Sequence, residues 1–229
     1  MLTRELLGTA QVPGGEELKL YSHGRDFMIV LGHNELMSTR LRYSEEALAT
    51  MTLDRLGSNP APHLLIGGYG MGFTLRAALA RIGPQGQVTV AELVPEIIDW
   101  ARGPMAAVAA GCLDDPRVTL KSGDVGELIL LSPVTYDAIL LDVDNGPDGL
   151  VRADNNRIYS RDGLRAAREM LNPGGVLAVW SAAKDSKFVR RLEKAHFTVE
   201  EVEVRARIGK DSKGKGPRHV IWFARTGQG

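Results

Sequence analysis

The sequence has 229 residues, 44% hydrophobic and 24% charged, with 28 Lys+Arg against 28 Asp+Glu. That suffices for one generous domain, or a domain with a small appendage, and the balanced charge offers no global field to recruit nucleic acid or an acidic membrane. The lone Cys112 excludes an internal disulfide and a cysteine-built zinc site, no apolar run is long enough to span a bilayer, and the N-terminus lacks a basic-then-apolar leader pattern, so a cytoplasmic location is expected.

Residues 1–60 read as a small β region with a linking helix. Leu18–Tyr21 and Phe27–Leu31 flank a glycine turn as a hairpin, and Leu36–Thr39 suggests a third short strand. Ser44-Glu45-Glu46-Ala47-Leu48 reads as a helix start, with acids in the first turn and Met51 and Leu56 continuing the apolar face. Gly57-Ser58-Asn59-Pro60-Ala61-Pro62 breaks the pattern and sets the boundary with a second unit, 61–229. The first unit is too small to be stable alone. It is expected to pack on the main sheet, roof a pocket or form a dimer contact.

Beyond residue 61 strands and helices alternate. Leu64–Ile66 is a short buried run that stops at Gly67-Gly68-Tyr69-Gly70-Met71-Gly72, and Leu75, Leu79 and Ile82 then follow a helical spacing. Val88–Ala91 is a second strand ending in Glu92, and Pro95 opens a helix through Ile97, Ile98 and Trp100. Arg117–Leu120 is a third, leading to Gly123-Asp124 and a helix over Val125–Leu131. Tyr136–Leu141 is a fourth, ending at Asp142. A helix is expected over Ile158–Leu171, stopped by Asn172-Pro173-Gly174-Gly175, then a strand over Val176–Trp180 and a helix over Lys184–Ala195. Phe197–Val204 and His219–Ala224 read as strands with no helix between them, hence antiparallel. The expected fold is α/β: a methyltransferase-like Rossmann sheet of seven strands, the last antiparallel, with helices on both faces.

In such sheets ligands sit beyond the carboxyl ends of the strands, where Glu92, Asp124 and Asp142 all fall. Glycines at a strand–turn–helix junction permit backbone angles a Cβ forbids and let a ligand approach the main chain. A dinucleotide site needs a third glycine where Phe73 stands, whereas Gly68-x-Gly70-x-Gly72 suits an S-adenosylmethionine-type nucleoside. The expected cofactor contacts are Gly67, Gly68 and Gly70 at the turn, Glu92 on the ribose hydroxyls, Asp124 on the adenine amino group, and Leu93 and Val125 against the ring. Asp124 is also a good helix N-cap. Asp142 is the candidate base, with Asp144 and Asn145 as substrate contacts; a calcium-like loop or plain turn is the competing reading of Asp144-Asn145-Gly146-Pro147. The polar stretch 143–157 is long enough to act as a lid. The five histidines show no metal-ligand spacing and flank no Ser or Cys nucleophile, so no metal is expected. The basic run Lys210–Gly216 lacks interleaved aromatics and reads as a hairpin tip.

The motifs Leu65-Ile66-Gly67-Gly68, Glu92-Leu93-Val94-Pro95, Asp115-Pro116-Arg117-Val118 leading to Gly123-Asp124, Tyr136–Asp142 and Leu171–Val176 together resemble the spermidine synthase (polyamine aminopropyltransferase) family, from about Phe27 to the C-terminus. The resemblance implies a transferase that binds decarboxylated S-adenosylmethionine, releases methylthioadenosine, alkylates a small amine and forms a homodimer. Two departures bear on chemistry. Where the family's turn carries an Asp for the aminopropyl ammonium, this chain has Gly70. Where its fourth-strand loop carries a second Asp, this chain has Asn145. The family's Tyr-His-Glu is altered to Ser44-Glu45-Glu46. Loss of the turn acid removes a repulsion against the carboxylate of intact S-adenosylmethionine, which opens methyl transfer with S-adenosylhomocysteine as product. The alternative class is an adenosine or methylthioadenosine binder that has lost catalysis.

Overall fold

The computed structural model describes residues 4–131, 133–143, 157–208 and 214–227. Four strands, β1 (Glu5–Gln11), β2 (Glu17–His23), β3 (Asp26–Leu31) and β4 (Asn34–Ser38), pair in chain order as an antiparallel sheet. The hairpin and third strand fall where alternation placed them. The first strand was not anticipated, because Glu5-Leu6-Leu7-Gly8-Thr9-Ala10-Gln11 does not alternate. It forms by pairing with β2, with a bulge between Leu6 and Gly8. Gly8 is required there, since a Cβ would lie 2.6 Å from the Trp100 indole nitrogen.

Helix α1 (Tyr43–Leu56) leads to β5 (His63–Gly67) and α2 (Phe73–Leu79). Then come β6 (Gln87–Glu92), α3 (Pro95–Arg102), the short α4 (Ala106–Ala109), β7 (Val118–Ser122), α5 (Val125–Leu131) and β8 (Tyr136–Leu141). The chain ends with α6 (Arg161–Glu169), β9 (Leu171–Ser181), α7 (Ser186–Lys194), β10 (Thr198–Ile208) and β11 (Gly214–Arg225). The large sheet has the order β10-β11-β9-β8-β5-β6-β7, with β11 antiparallel to both neighbours and the other pairs parallel. This is the expected methyltransferase-like Rossmann sheet.

Two apolar layers follow from period-2 alternation. Leu64 and Ile66, Val88 and Val90, and Ala138 and Leu140 face α1, α2 and α3, while Leu65, Ile139, Leu141, Leu177 and Val179 face α5, α6 and α7. Each such fully buried Val, Leu or Ile side chain is worth about 1.5–3 kcal/mol of transfer free energy. The small sheet joins the first layer through Leu20, Ile29 and Leu31. Helix α1 buries Ser44, Ala47, Leu48, Ala49 and Thr52.

The helix expected over Ile158–Leu171 is shorter, because Ser160 caps it by accepting from Gly163 N at 3.2 Å and Leu171 already belongs to a strand. Tyr136 pairs with Leu171, and the register slips before Ala138 meets Val176, so the Asn-Pro-Gly-Gly segment is accommodated as an irregularity inside β9 rather than ahead of it. Asn172 Nδ2 ties it to Asp137 Oδ1 at 2.9 Å. Strands β10 and β11 extend beyond their apolar stretches, and Gly214–Gly216 of the basic run lies in β11. Among the described residues no helix is long and apolar enough to cross a membrane.

Candidate functional site

The parallel strands bring Gly67, Glu92, Ser122 and Leu141 to one edge of the sheet. Three glycines of the first turn have left-handed angles, φ 86° at Gly68, 56° at Gly70 and 79° at Gly72. Gly68 is the most constrained, because a Cβ there would strike the backbone carbonyl of Asp142. Gly72 then serves as the N-cap position of α2.

Glu92 is 6% exposed and pins this turn in place. Its Oε2 accepts from Tyr69 N at 2.8 Å and its Oε1 from Val94 N at 2.9 Å. Burial raises its pKa, and the N–H groups of Val94, Tyr69, Gly70 and Leu93 pull the other way. The carboxylate therefore couples the turn after β5 to the start of α3 while facing a cleft. Asp124 Oδ1 accepts from Gly126 N at 2.6 Å, the capping role the sequence suggested, and Asp124 lines the same cleft.

That cleft has about 740 Å³ of open space. Gly68, Gly70, Glu92, Leu93, Asp124, Val125 and Asp142 all line it, and Val12, Leu18, Ile29, Leu36 and Met37 of the small sheet cover it. Of the three roles left open for the N-terminal region, roofing the pocket is the one these contacts support. Gly67 is an exception to the expected contacts. It does not line the cleft, and a Cβ there would meet Val125 at 2.9 Å and Leu141 at 3.1 Å, so its bareness serves close packing of β5 against α5 and β8.

A second cleft, of about 1000 Å³, adjoins the first and shares Leu36, Met37, Gly70, Asp142 and Val143 with it. Its further lining comes from four separate places: Glu35 on β4, Glu45 on α1, Trp180 on β9 and His219 on β11. Asp142 thus stands on the wall common to both. Thr74 Oγ1 donates to Asp142 Oδ2 at 3.1 Å. Burial pushes the Asp142 carboxyl up to about 6, against the lowering effect of Thr74. Glu45 is pushed well above the usual range by burial and by the charges of Asp142 and Glu46. Two carboxyl groups in one poorly solvated cleft resist ionising together.

Sequence reasoning passed over the second cleft's other members. Ser44 and Glu45 looked like a helix start and Trp180 like sheet core, and His219 had no neighbour of interest in the chain. In the fold Ser44 Oγ lies 2.8 Å from His219 Nδ1, across 175 positions of sequence. Ser44 is fully buried, so it orients the ring and is no accessible nucleophile. Asp144 and Asn145, and the lid expected over 143–157 apart from its two end residues, lie outside the described residues.

Known proteins resemble this chain in sequence and in fold. A polyamine aminopropyltransferase of Korarchaeum cryptofilum is 32% identical over 136 residues, covering 59% of this chain and 40% of that protein. One from Mycobacterium tuberculosis (strain H37Rv) is 30% identical over 168 residues, covering 72% of this chain and 29% of that one. The chain therefore spans well under half the length of these relatives. Spermidine synthase from Thermotoga maritima superposes with TM-score 0.74 at 17% identity, covering 98% of this chain and 74% of that one. A spermidine synthase bound to the transition-state analogue AdoDATO reaches 0.77 at 18% identity, with the same coverage. A Klebsiella pneumoniae protein described as an O-methyltransferase gives 0.55 at 17% identity over 81% of this chain and 80% of that one. These structural likenesses establish the fold. The spermine/spermidine synthase domain model matches residues 42–202, a span that holds the glycine turn, Glu92, Asp124 and Asp142, and on that match the chain belongs to the spermine/spermidine synthase family.

Proposed function

We propose that this chain is a transferase that binds an adenosyl-sulfonium cofactor in the roofed cleft and alkylates a small amine held in the adjoining one. The observation that carries the reading is the position of Asp142, on the wall shared by a nucleoside-sized cleft and an acid-lined cleft. The first cleft fits the cofactor: bare main chain at Gly68 and Gly70 for close approach, an acid at Glu92 for ribose hydroxyls, Asp124 for the adenine edge, and Leu93 and Val125 against the ring. When bound, the sulfonium supplies an electrophilic carbon and a neutral thioether leaving group. Asp142 then takes the proton of the attacking nitrogen, and a carboxyl titrating near 6 is an effective base at neutral pH. Burial and the neighbouring charges favour the protonated form of Glu45, which is a hydrogen-bond donor in the same cleft.

Aminopropyl transfer from the decarboxylated cofactor is the favoured chemistry. No Lys or Arg among the described residues lines either cleft to pair with a methionine carboxylate, whereas Asp142 and Glu45 suit an ammonium. Gly70 supports methyl transfer as the second reading, because the turn itself carries no acid to repel that carboxylate. Incubating the purified protein with each cofactor and a panel of amines, with mass-spectrometric detection of methylthioadenosine and S-adenosylhomocysteine, separates the two. Methylthioadenosine formed only in the presence of amine is the expected result. Tight methylthioadenosine binding with no product from either cofactor would leave the non-catalytic binder instead.

A further inference from the structure

The acids account for only part of the second cleft. Trp180 and His219, on neighbouring strands, line it with ring centroids 4.7 Å apart and planes at 70°. The hydrogen bond between Ser44 and His219 fixes which nitrogen of the ring carries the proton. Were it on Nδ1, the fully buried Ser44 hydroxyl would have no acceptor for its own hydrogen among the described residues, which costs about as much as a lost hydrogen bond. With Ser44 donating to Nδ1, both groups are satisfied. Burial keeps the ring's pKa below its ordinary value, hence neutral at pH 7, so Nε2 bears the hydrogen. Nε2 has no partner among the described residues. Trp180 is 8% exposed, and its indole N–H also has no partner among them, although a buried indole N–H usually finds one.

One N–H donor without a protein acceptor among the described residues, His219 Nε2, thus remains at a cleft whose other polar lining is Glu35, Glu45 and Asp142, while the indole N–H of Trp180 is buried behind the cleft surface. We propose that His219, walled by the Trp180 ring, forms a subsite for a neutral hydrogen-bond-accepting group, so that the preferred acceptor is an amine bearing a hydroxyl, ether or amide oxygen at its far end rather than a second ammonium. This rests on the amine-alkylating reading of the same site. An ammonium has no lone pair to offer this donor, whereas an alcohol or amide oxygen can accept from it. A carboxylate end would accept as well, but it would share the cleft with three acids. His219 acts on which acceptor is chosen, and the proton of the attacking nitrogen still goes to Asp142.

The test compares two amines of matched length, 4-amino-1-butanol and 1,4-diaminobutane, by kcat/KM in the full chain, following methylthioadenosine release. The amino alcohol is expected to lead by about tenfold. His219→Phe should cut that lead severalfold, through the amino alcohol's KM, and Trp180→Phe, which removes only a buried N–H, should leave it nearly as it was. A wild-type preference for the diamine, or a ratio unmoved in His219→Phe, overturns the subsite while leaving the transfer reading intact. If neither amine is alkylated, the transfer reading fails, and calorimetry on the methylthioadenosine-saturated protein still decides the subsite. Binding of 4-amino-1-butanol that is lost in His219→Phe sustains it; absence of binding, or binding indifferent to His219→Phe, overturns it. Thermal melts of the variants establish that they fold.

Discussion

The two clefts meet at Asp142 and are built by opposite means. The first is made of main chain and strand tips. Its glycines, Glu92 and Asp124 lie within one run of strand–helix units, and each sits where the sheet topology puts it. The second is made of side chains from α1, β4, β8, β9 and β11, which share an edge only because β11 turns back beside β9 with Val220 opposite Ser181. A cleft of the first kind recognises what every member of a fold class has in common. One of the second kind can change residue by residue without disturbing the sheet, which makes it the natural seat of substrate choice.

The sharpest way to break this division is Asp142→Asn, since Asp142 serves both sides. Removing the base is expected to lower kcat by about 10²–10⁴-fold, while the dissociation constant of methylthioadenosine, measured by calorimetry, changes by less than about threefold. A comparable loss in nucleoside affinity would make Asp142 a part of the first cleft instead. Next in size is Glu92→Gln. A neutral amide cannot accept at both ends from Tyr69 N and Val94 N, nor accept ribose hydroxyls as a carboxylate does, so methylthioadenosine binding should weaken about 10–100-fold. The ratio of rates between two amines should stay as it was.

The pH dependence tests the second cleft alone. Asp142 must be ionised to act, so the rate should be present above about pH 6 and fall away below it. Glu45→Gln should leave that limb near 6, because burial and the Thr74 hydrogen bond set the Asp142 shift. Thr74→Val removes the hydrogen bond that favours the carboxylate and should move the limb upward by about half a unit to one unit. The same shift has a stability sign. Asp142 holds its proton more tightly folded than unfolded, so its contribution is fully present below the unfolded value of 3.8 and is lost as pH rises through about 6. A limb that moved sharply in Glu45→Gln would show two like charges facing each other at the working pH.

The contrast also explains what could be read from sequence. Glu92 and Asp124 were legible because a strand's end is local information: a β-branched or aliphatic run, then an acid. The antiparallel last pair followed from the missing helix between β10 and β11. Strand β1 was invisible because its partner supplies what its own pattern lacks. The Asn172–Gly175 segment misled because a slip in register, set by Tyr136 across the sheet, let β9 absorb residues that normally end a helix. Ser44 and His219 carry no mutual signal at all. Only the fold brings them to 2.8 Å.

The smallest expected effect is the most selective. Arg55 near the end of α1 makes a bidentate pair with Glu200 on β10, at 2.9 and 2.7 Å, lies 3.7 Å above the ring of Phe223 on β11, and donates to Met51 O at 2.8 Å. Glu200 is 58% exposed, so solvent screens the ion pair and Glu200→Gln should cost no more than about 0.5 kcal/mol. Arg55→Met keeps the aliphatic stem and loses the contact with Phe223 as well, for about 1 kcal/mol and a fall of about 2–4 °C in Tm. Because α1 carries Ser44 and Glu45 but no residue lining the first cleft, loosening it should raise the amine's KM severalfold and leave methylthioadenosine affinity unchanged. If both constants move together, the helix holds the two clefts as one body, and substrate choice could not drift in this family without disturbing the grip on the nucleoside.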